Sequence, residues 1–420
     1  MSGEKTRLVP KRRFPEFRDA APWQPVSLGE VSIPVNERVG AKKLTPVSIS
    51  AGIGFVPQAE KFGRDISGNQ YQLYTLVKDG DFVYNKGNSL KFPEGCIYLL
   101  QGWGEVAAPN VFICFRLKSD YSNGFFQNCF ESNAHGKQLK KHITSGARSN
   151  GLLNISKEAF FGVEIPTPSS NEQQKIADCL SSLDQLISAQ ARKVEALKTH
   201  KKGLMQQLFP REGETQPRLR FPEFQNTGDW VEQSVGEFGK VVTGNTPSTA
   251  QPAFYGGGIP FASPADISDL RFVDQTKTTL TPEGFAETRP IRAGSILFVS
   301  IGSTIGKVAQ NVRECATNQQ INAVVPSSKH SDDFAYFALS QASERIALLA
   351  GRQAVPIINK SLFSSVRLLV PKIAEQQRIA DCLASLDALI TAASQELDIL
   401  KTHKKGLMRQ LFPSVEGVEA

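Results

Sequence analysis

Apolar residues recur at alternating spacings of four and three along two long stretches of this chain, residues 172–210 and 375–413. That spacing is the a/d pattern of a coiled coil, and it predicts one long helix in each stretch. Neither stretch contains a proline before its last residue, and both are rich in strong helix formers. The predicted helix-pairing seam consists of Ile176, Leu180, Leu183, Ile187, Val194, Leu197, Leu204 and Leu208, and of Ile379, Leu383, Leu386, Ile390, Leu397, Leu400, Leu407 and Leu411.

The two stretches are copies of each other. At a constant offset of 203 residues, 27 of 39 aligned positions are identical. Polar residues interrupt the seam at Gln190 and Lys201 in the first copy, and at Lys404, the counterpart of Lys201, in the second. A polar residue buried on such a seam tends to fix register and orientation at some cost in stability.

The ends of the helices are also predicted. Ser170 or Asn171 is placed to cap the first helix, and Glu172 or Gln173 would complete a capping box. A Phe-Pro pair closes each copy, because proline cannot continue a helix.

Two arrangements fit these helices. They can be core helices of separate domains, or they can pack against each other as one pair. At a rise of 1.5 Å per residue each is roughly 55 Å long, well above the length of an ordinary globular helix. We favour the pair, because one chain supplies two matched seams at high effective concentration.

The repeat extends beyond the helices. The motif RFPEF occupies residues 13–17 and 220–224, and Trp23 and Trp230 follow at the same offset of 207. The chain is therefore two half-units, each with an opening motif, a globular segment and a long helix. We predict a first domain at residues 1–170, a helix at 171–210, a linker with a second domain at 211–374, a helix at 375–413 and a tail at 414–420.

Both globular segments predict mixed α/β structure, although their sequences diverge strongly. Short apolar runs separated by glycine, such as residues 71–87, 110–117 and 294–310, predict strands joined by turns. Residues 125–141 and 333–349 predict helices.

Composition and charge limit the classes of function that are compatible with the sequence. The 420 residues carry a formal net charge of +7, a mild basic excess that is compatible with a nucleic-acid partner. No apolar run approaches a membrane span, and the N-terminus lacks the apolar region of a signal peptide. We therefore expect a cytoplasmic protein without a membrane partner. The six cysteines form no C-x-x-C pair, so a zinc or redox site is not expected.

Catalytic motifs are absent or incomplete. Residues 302–307, GSTIGK, resemble a phosphate-binding loop, but the spacing is one residue short and Val308 stands where a Ser or Thr should hold magnesium. We find no adenosylmethionine-binding fingerprint, no Asn-Pro-Pro-aromatic tetrapeptide and no nuclease-like carboxylate pair. The sequence thus predicts a protein that is not an enzyme and has no cofactor or metal of its own.

Polar residues in the loops between predicted strands are the candidate DNA contacts. Asn and Gln amides suit adenine edges, and Lys and Arg suit phosphates or guanine. For any one of them a solvated surface role is the alternative. The Lys-Thr-His-Lys-Lys segments at residues 198–202 and 401–405 are further candidates for phosphate contact, with a solvated helix face or a protein partner as alternatives. The candidates are Lys86, Lys91, Arg148, Asn245, Ser303, Thr304, Lys307, Asn318, Gln319 and Gln320.

These motifs together resemble a known family. The repeated EQQ-(K/R)-IA-x-C-L-x-x-LD, the RFPEF motif, TGNTPS with YGGGIPF, and GSTIGKVA followed by NQQI are similar to motifs in specificity (S) subunits of Type I restriction–modification systems. The resemblance covers nearly the whole chain. The first domain departs from it, having PVSIS and NKGNS near the places of GNTPS and GSTIGK.

The resemblance implies a fold and a function. The fold would be two α/β target-recognition domains in a pseudo-two-fold arrangement, separated by an antiparallel coiled coil of the two long helices. The function would be recognition of a bipartite, asymmetric site in double-stranded DNA, with one half-site for each divergent domain.

The resemblance also places the chemistry in partners. Two methyltransferase (M) subunits would use S-adenosylmethionine to methylate a flipped adenine in each half-site. Two restriction (R) subunits would use ATP and Mg²⁺ to move and cut the DNA. Two other classes remain as alternatives, a coiled-coil adaptor that does not bind DNA and a solo methyltransferase or nuclease.

Overall fold

The computed structural model describes residues 8–87, 92–143, 153, 155–351 and 355–413. It divides into two compact units. Unit 1 contains residues 1–190 and 396–420, and unit 2 contains residues 191–395. Each unit therefore combines one globular segment with half of each long helix. The predicted boundaries differ, because they keep each long helix whole.

In its described residues, unit 1 contains ten short strands and five short α-helices, together with the first half of α6 and the end of α11. Its strands are β1 Gln24–Ser27, β2 Ser32–Pro34, β3 Thr45–Ser50, β4 Gly54–Pro57, β5 Thr75–Lys78, β6 Asp81–Asn85, β7 Cys96–Leu99, β8 Glu105–Ala108, β9 Ile113–Leu117 and β10 Glu164–Thr167. Its helices are α1 Leu28–Val31, α2 Gln58–Phe62, α3 Asn123–Glu131, α4 Ala134–Leu139, α5 Lys157–Phe161 and α6 Ser170–Leu208.

Two four-stranded sheets form the body of unit 1. One has the order β2-β9-β6-β7 and the other β4-β3-β8-β5, while β1 pairs with β10. The helix expected at residues 125–141 is instead two helices, because Asn133 adopts a left-handed φ of 60° between α3 and α4. Asparagine tolerates this conformation better than most residues, so the helix ends there.

Unit 2 repeats this plan with different strands. They are β11 Val231–Ser234, β12 Gly239–Thr243, β13 Tyr255–Ala262, β14 Phe272–Val273, β15 Thr278–Leu280, β16 Ile296–Val299, β17 Val308–Asn311, β18 Ala316–Thr317, β19 Ile321–Pro326 and β20 Arg367–Val370. The helices are α7 Val235–Phe238, α8 Pro282–Ala286, α9 Asp332–Ala347, α10 Lys360–Ser365 and α11 Ile373–Leu411.

The main sheets of the two units share one strand order. In unit 2 it is β12-β19-β16-β17-β14, and the first four positions match β2-β9-β6-β7 of unit 1. The smaller sheet is β15-β13-β18, in which β13 and β18 are parallel, as β3 and β8 are in unit 1. The first globular segment thus has the framework of the second although it lacks the second segment's loop motifs.

The two repeated motifs bind each other inside each unit. In unit 1 the Arg13 guanidinium donates to both carboxylate oxygens of Glu172 at 2.7 and 2.6 Å, and Trp23 Nε1 donates to the same carboxylate at 3.3 Å. The Arg13 and Glu172 side chains are 8% and 1% exposed, so this is a buried, bidentate ion pair. We name this arrangement the latch.

Unit 2 has the same latch. Arg220 donates to Glu375 at 2.8 Å through two nitrogens, and Trp230 Nε1 donates to it at 3.2 Å. The next residues of the motifs also pair, because Lys175 contacts Glu16 and Arg378 contacts Glu223, at 3.0 and 3.2 Å. RFPEF and EQQ-(K/R) recur together because they are the two halves of one contact.

The start of helix α6 differs from the predicted capping box, because the capping residue is Ser169 and the Glu172 carboxylate binds Arg13. Helix α6 begins at Ser170, so Ser169 precedes it, and Ser169 Oγ accepts the Glu172 backbone N–H at 3.5 Å. The Gln173 side chain accepts from the Ser122 backbone N–H at 3.1 Å, which ties the start of α6 to the start of α3. Gln376 does the same for Ser331 at the start of α9, also at 3.1 Å.

The halves of the long helices pair antiparallel within each unit. In unit 1, Gln190 of α6 donates to Glu396 of α11 at 2.8 Å, and farther along Lys404 contacts Asp184 at 2.7 Å. The sequence numbers run in opposite directions along the two helices, which defines the antiparallel pairing. In unit 2, Lys201 donates to Asp387 at 2.5 Å.

The two lysines that interrupt the seam, Lys201 and Lys404, are therefore ion-pair positions, whereas Gln190 forms a hydrogen bond. Lys201 and Asp387 are each 18% exposed, and Lys404 is 14% exposed. Burial lowers the pKa of Lys404, but hydrogen bonds and charge from Asp184 and Glu131 outweigh it, so the pKa is raised above its ordinary value. All sixteen predicted seam residues are buried or half-buried, whereas Leu186, Leu389 and Ile399 on the outer faces are 57, 55 and 67% exposed.

The core of each unit includes the end of a long helix. In unit 1, Phe412 packs edge-on against Trp23 with ring centroids 6.1 Å apart, and Leu411 is buried in the same cluster. In unit 2, Phe209 packs against Trp230 at 5.9 Å. Within the described ranges, no helix combines the length and apolar character that a membrane crossing requires.

Candidate nucleic-acid interface

Three loops of unit 2 meet at one end of its main sheet. They follow β12, precede β19 and follow β16, and these three strands are neighbours in antiparallel pairs. Backbone hydrogen bonds hold the loops together, from Gly244 N to Ile321 O at 3.2 Å and from Ser300 N to Gln320 O at 2.8 Å. We call this end of the sheet the polar edge.

Glycine is required where the first two loops touch. A Cβ at Gly244 would lie 2.2 Å from Thr317 O and 2.3 Å from Asn318 O, which no real side chain tolerates. The loop after β16 turns through Gly302 and Gly306, whose φ angles of 100° and 92° favour glycine. Strand β17 follows this loop, whereas a phosphate-binding loop leads into the N-terminus of a helix.

Seven of the predicted DNA contacts lie in these loops. Gln319 is exposed, and its Oε1 accepts from Thr246 Oγ1 at 2.8 Å. Asn318 Nδ2 donates to Gln320 Oε1 at 2.9 Å, so these two amides partly satisfy each other. The seven residues are Asn245, Ser303, Thr304, Lys307, Asn318, Gln319 and Gln320.

The remaining members of the set differ in their surroundings. Asn245 Nδ2 donates to Glu287 O at 2.8 Å, and Lys307 Nζ lies 3.4 Å from Ile267 O. Ser303 is exposed and Thr304 is half-buried. The polar edge therefore offers exposed amide and hydroxyl groups with a cation beside them. This chemistry matches base edges and phosphates.

A second cation, which the sequence does not single out, lies at this edge. Arg289 is exposed, and its Nη1 donates to Thr243 O at 2.7 Å, at the end of β12. It is an isolated arginine in a loop with no recognisable motif, so only the strand arrangement reveals its position. An exposed apolar residue lies near the same loops. Ile357 is 45% exposed and forms a bridge with Ile301.

Unit 1 has a corresponding edge with different residues. Lys86 follows β6, the counterpart of β16, and its carbonyl accepts from Leu153 N at 2.8 Å. Near the ends of the other two strands, Arg38 Nη1 donates to Asn110 Oδ1 at 2.5 Å, and both residues are exposed. The sequence did not single out Arg38 or Asn110. Lys91 and Arg148 lie outside the described residues.

In the part of the chain that the structure describes, no group of three His, Cys, Asp or Glu side chains is arranged to hold a metal ion. Cys96, Cys114, Cys129 and Cys315 are buried free thiols. Burial raises the pKa of Cys114 and of Cys315 to about 12, so neither is a reactive thiolate at neutral pH.

The architecture defines a class of protein: a duplicated α/β framework with two long helices, which presents different polar loops from equivalent sheet edges. The family model for the Type I restriction modification DNA specificity domain matches residues 65–199 and 227–401, about three quarters of the chain. The chain belongs to this family.

Individual proteins to which the chain is similar are also named as specificity subunits. The chain is 32% identical over 147 residues to the HindI specificity subunit of Haemophilus influenzae, an alignment that covers 34% of this chain and 32% of that protein. It is 24% identical over 281 residues to a putative MjaX specificity subunit of Methanocaldococcus jannaschii, covering 66% of this chain and 64% of that one. The matched part is thus about one third to two thirds of the relatives' length.

The fold is also found among solved structures. The S subunit of a Type I restriction-modification system from M. genitalium superposes with a TM-score of 0.61, covering 97% of this chain and all of that one at 14% sequence identity. At this identity the similarity shows the fold alone.

Proposed function

We propose that this chain is the DNA specificity subunit of a Type I restriction–modification complex and that its two units recognise the two halves of a bipartite, asymmetric DNA site. One observation carries the proposal. Four strands of the main sheet have the same order in both units, yet the edge that bears Gln319 in unit 2 bears Arg38 and Asn110 in unit 1. One framework with different loops suits the recognition of two different half-sites.

The chemistry then belongs to other subunits. The chain itself is not an enzyme and binds no cofactor or metal of its own. Two M subunits bring S-adenosylmethionine, and two R subunits bring ATP and Mg²⁺. The complex acts on double-stranded DNA in the cytoplasm, without a membrane partner. Family membership and the polar edge support this assignment over an adaptor that does not bind DNA.

The test is a map of N6-methyladenine across the genome of cells that express this chain with its cognate M subunit, compared with cells that lack this chain. We expect one gapped motif, methylated on both strands and lost with the deletion. Purified chain alone should turn over neither S-adenosylmethionine nor ATP. If the M subunit is active and no motif depends on this chain, the proposal is wrong.

A further inference from the structure

Unit 1 contains a cleft of about 790 Å³ between the end of helix α3 and the last turns of helix α11. Its walls come from the break between α3 and α4, from the segment before RFPEF and from α11. We call it the basic cleft. The cationic residues that line it are Lys11, Lys137, Lys401, Lys404, Lys405 and Arg409.

The break in the helix produces this cleft. Helices α3 and α9 begin alike, since the backbone N–H of the N-cap serine of each donates to a glutamine side chain of the EQQ motif. Helix α9 then runs for 16 residues, whereas α3 stops after 9 at Glu131. Residues 131–134 at that stop line the cleft.

The charge of the cleft is largely uncompensated. Glu131 is its acidic lining residue, and it pairs with Lys404 at 3.0 Å. Within the described part of the chain, Lys11, Lys401, Lys405 and Arg409 form no ion pair, and all four are exposed. Four cations converging on one concave surface concentrate positive potential and attract an anionic group.

The cleft also borders the edge of unit 1 that corresponds to the polar edge of unit 2. Asn133, in its wall, donates through Nδ2 to Glu94 Oε2 at 3.4 Å. Glu94 belongs to the loop between β6 and β7, the counterpart of the loop that carries Ser303 and Thr304 in unit 2. An anion in the cleft would thus lie next to whatever the β6–β7 loop contacts.

We propose that the basic cleft binds phosphates of the DNA backbone beside the half-site that unit 1 recognises. This inference rests on the proposed function, and it adds a sequence-independent contact that strengthens binding and positions the duplex without selecting bases. Unit 2 differs at the corresponding positions. Gln206 stands at the place of Arg409, and Lys198 pairs with Glu195 at 3.0 Å.

The test compares two variants of the full chain bound to its M subunit. The first is K401Q/K405Q/R409Q, in the cleft. The second is R192Q/K193Q/K372Q, which removes three exposed cations of unit 2 that lie outside its polar edge and serves as the matched control. Affinity is measured by fluorescence anisotropy at several salt concentrations, on a duplex with the mapped site and on a scrambled duplex of equal length. Thermal unfolding checks that both variants fold.

The slope of log K against log salt concentration is negative, and each lost phosphate contact makes it less steep by about 0.9. The cleft variant should therefore show a slope less steep by about 2 to 3 on both duplexes, with the preference for the mapped site kept. The control should change much less. An unchanged slope, or an equal change in the control, overturns the inference.

Two further outcomes separate failure of this inference from failure of the proposed function. Loss of the M subunit from the cleft variant on gel filtration, with the DNA slope unchanged, would make the cleft a protein-docking site and overturn the inference. If unmodified chain does not prefer the mapped duplex over the scrambled one, the proposed function fails, whatever the slopes show.

Discussion

At the residue scale, the imidazole of His135 is a buried titratable group without a hydrogen-bond partner among the described residues. It is 2% exposed and lies edge-on to the rings of Tyr84 and Phe130. Burial lowers the pKa of His135 to about 4. The folded chain therefore keeps this side chain neutral at pH values where the unfolded chain protonates it.

This gives a pH dependence of stability. Because the folded pKa lies below the unfolded value of 6.5, the unfolded state binds more protons between pH 6.5 and pH 4, and stability falls as pH falls through that window. His135 alone should lower the free energy of unfolding by about 2 kcal/mol at pH 5 relative to pH 7.5. Urea unfolding of wild type and His135→Leu at both pH values measures this.

The variant should lose that part of the pH dependence. His142→Leu, which replaces an exposed histidine of the same unit, is the control and should keep it. Equal pH dependence in wild type and His135→Leu would show that His135 is not held neutral.

At the scale of elements, the latch explains why two short motifs 159 residues apart recur together. Arg13 and Trp23 come from the opening of the unit, and Glu172 comes from the first turn of α6. The carboxylate accepts from both, so the helix start is fixed to the globular body. A buried ion pair of this kind is costly to break on one side, because the remaining charge loses its partner without regaining water.

Glu172→Gln should therefore destabilise unit 1 by about 3 to 5 kcal/mol. The midpoint of urea unfolding, followed by tryptophan fluorescence, reports the change, since Trp23 contacts the latch. The control is Glu16→Gln, at the exposed pair with Lys175, which should leave the midpoint nearly unchanged. Similar midpoints for both variants would show that the latch adds little to stability.

At the scale of the whole molecule, the two units share a structural framework, and they differ in the residues that we propose to recognise DNA. Both units have the latch, a capping box (Ser27 with Glu30, Ser234 with Glu237) and the same order of four strands in the main sheet. The loops at the sheet edges differ. Under the proposed function, changing an edge residue in one unit should affect one half-site only.

Gln319→Ala tests this independence. The exposed Gln319 amide suits bidentate contact with a base, and losing such a contact costs about 1–3 kcal/mol of discrimination. Methylation mapping should show one relaxed base pair in one half-site and an unchanged second half-site. Ser328→Ala, at the opposite end of β19, should leave the motif intact. Altered bases in both half-sites would contradict the independence of the two units.

Much of the fold followed from periodicity and repetition. The four-and-three spacing of apolar residues predicted helices whose observed bounds, Ser170–Leu208 and Ile373–Leu411, lie within two residues of those expected. Glycine-separated apolar runs predicted strands β5, β6, β9, β16 and β17. These features are local in the chain, because a helix or strand repeats its buried positions at a fixed period.

The sequence by itself thus determined the duplication, the long helices and the family. Only the tertiary structure decided which polar residues share a surface. It gave Glu172 an ion pair where local spacing predicted a cap, placed Arg289 at the end of β12, and broke the helix at Asn133 to open the basic cleft. The physical reason is separation along the chain: hydrophobic period is a property of neighbouring residues, whereas these contacts join groups brought together only by strand pairing and helix packing.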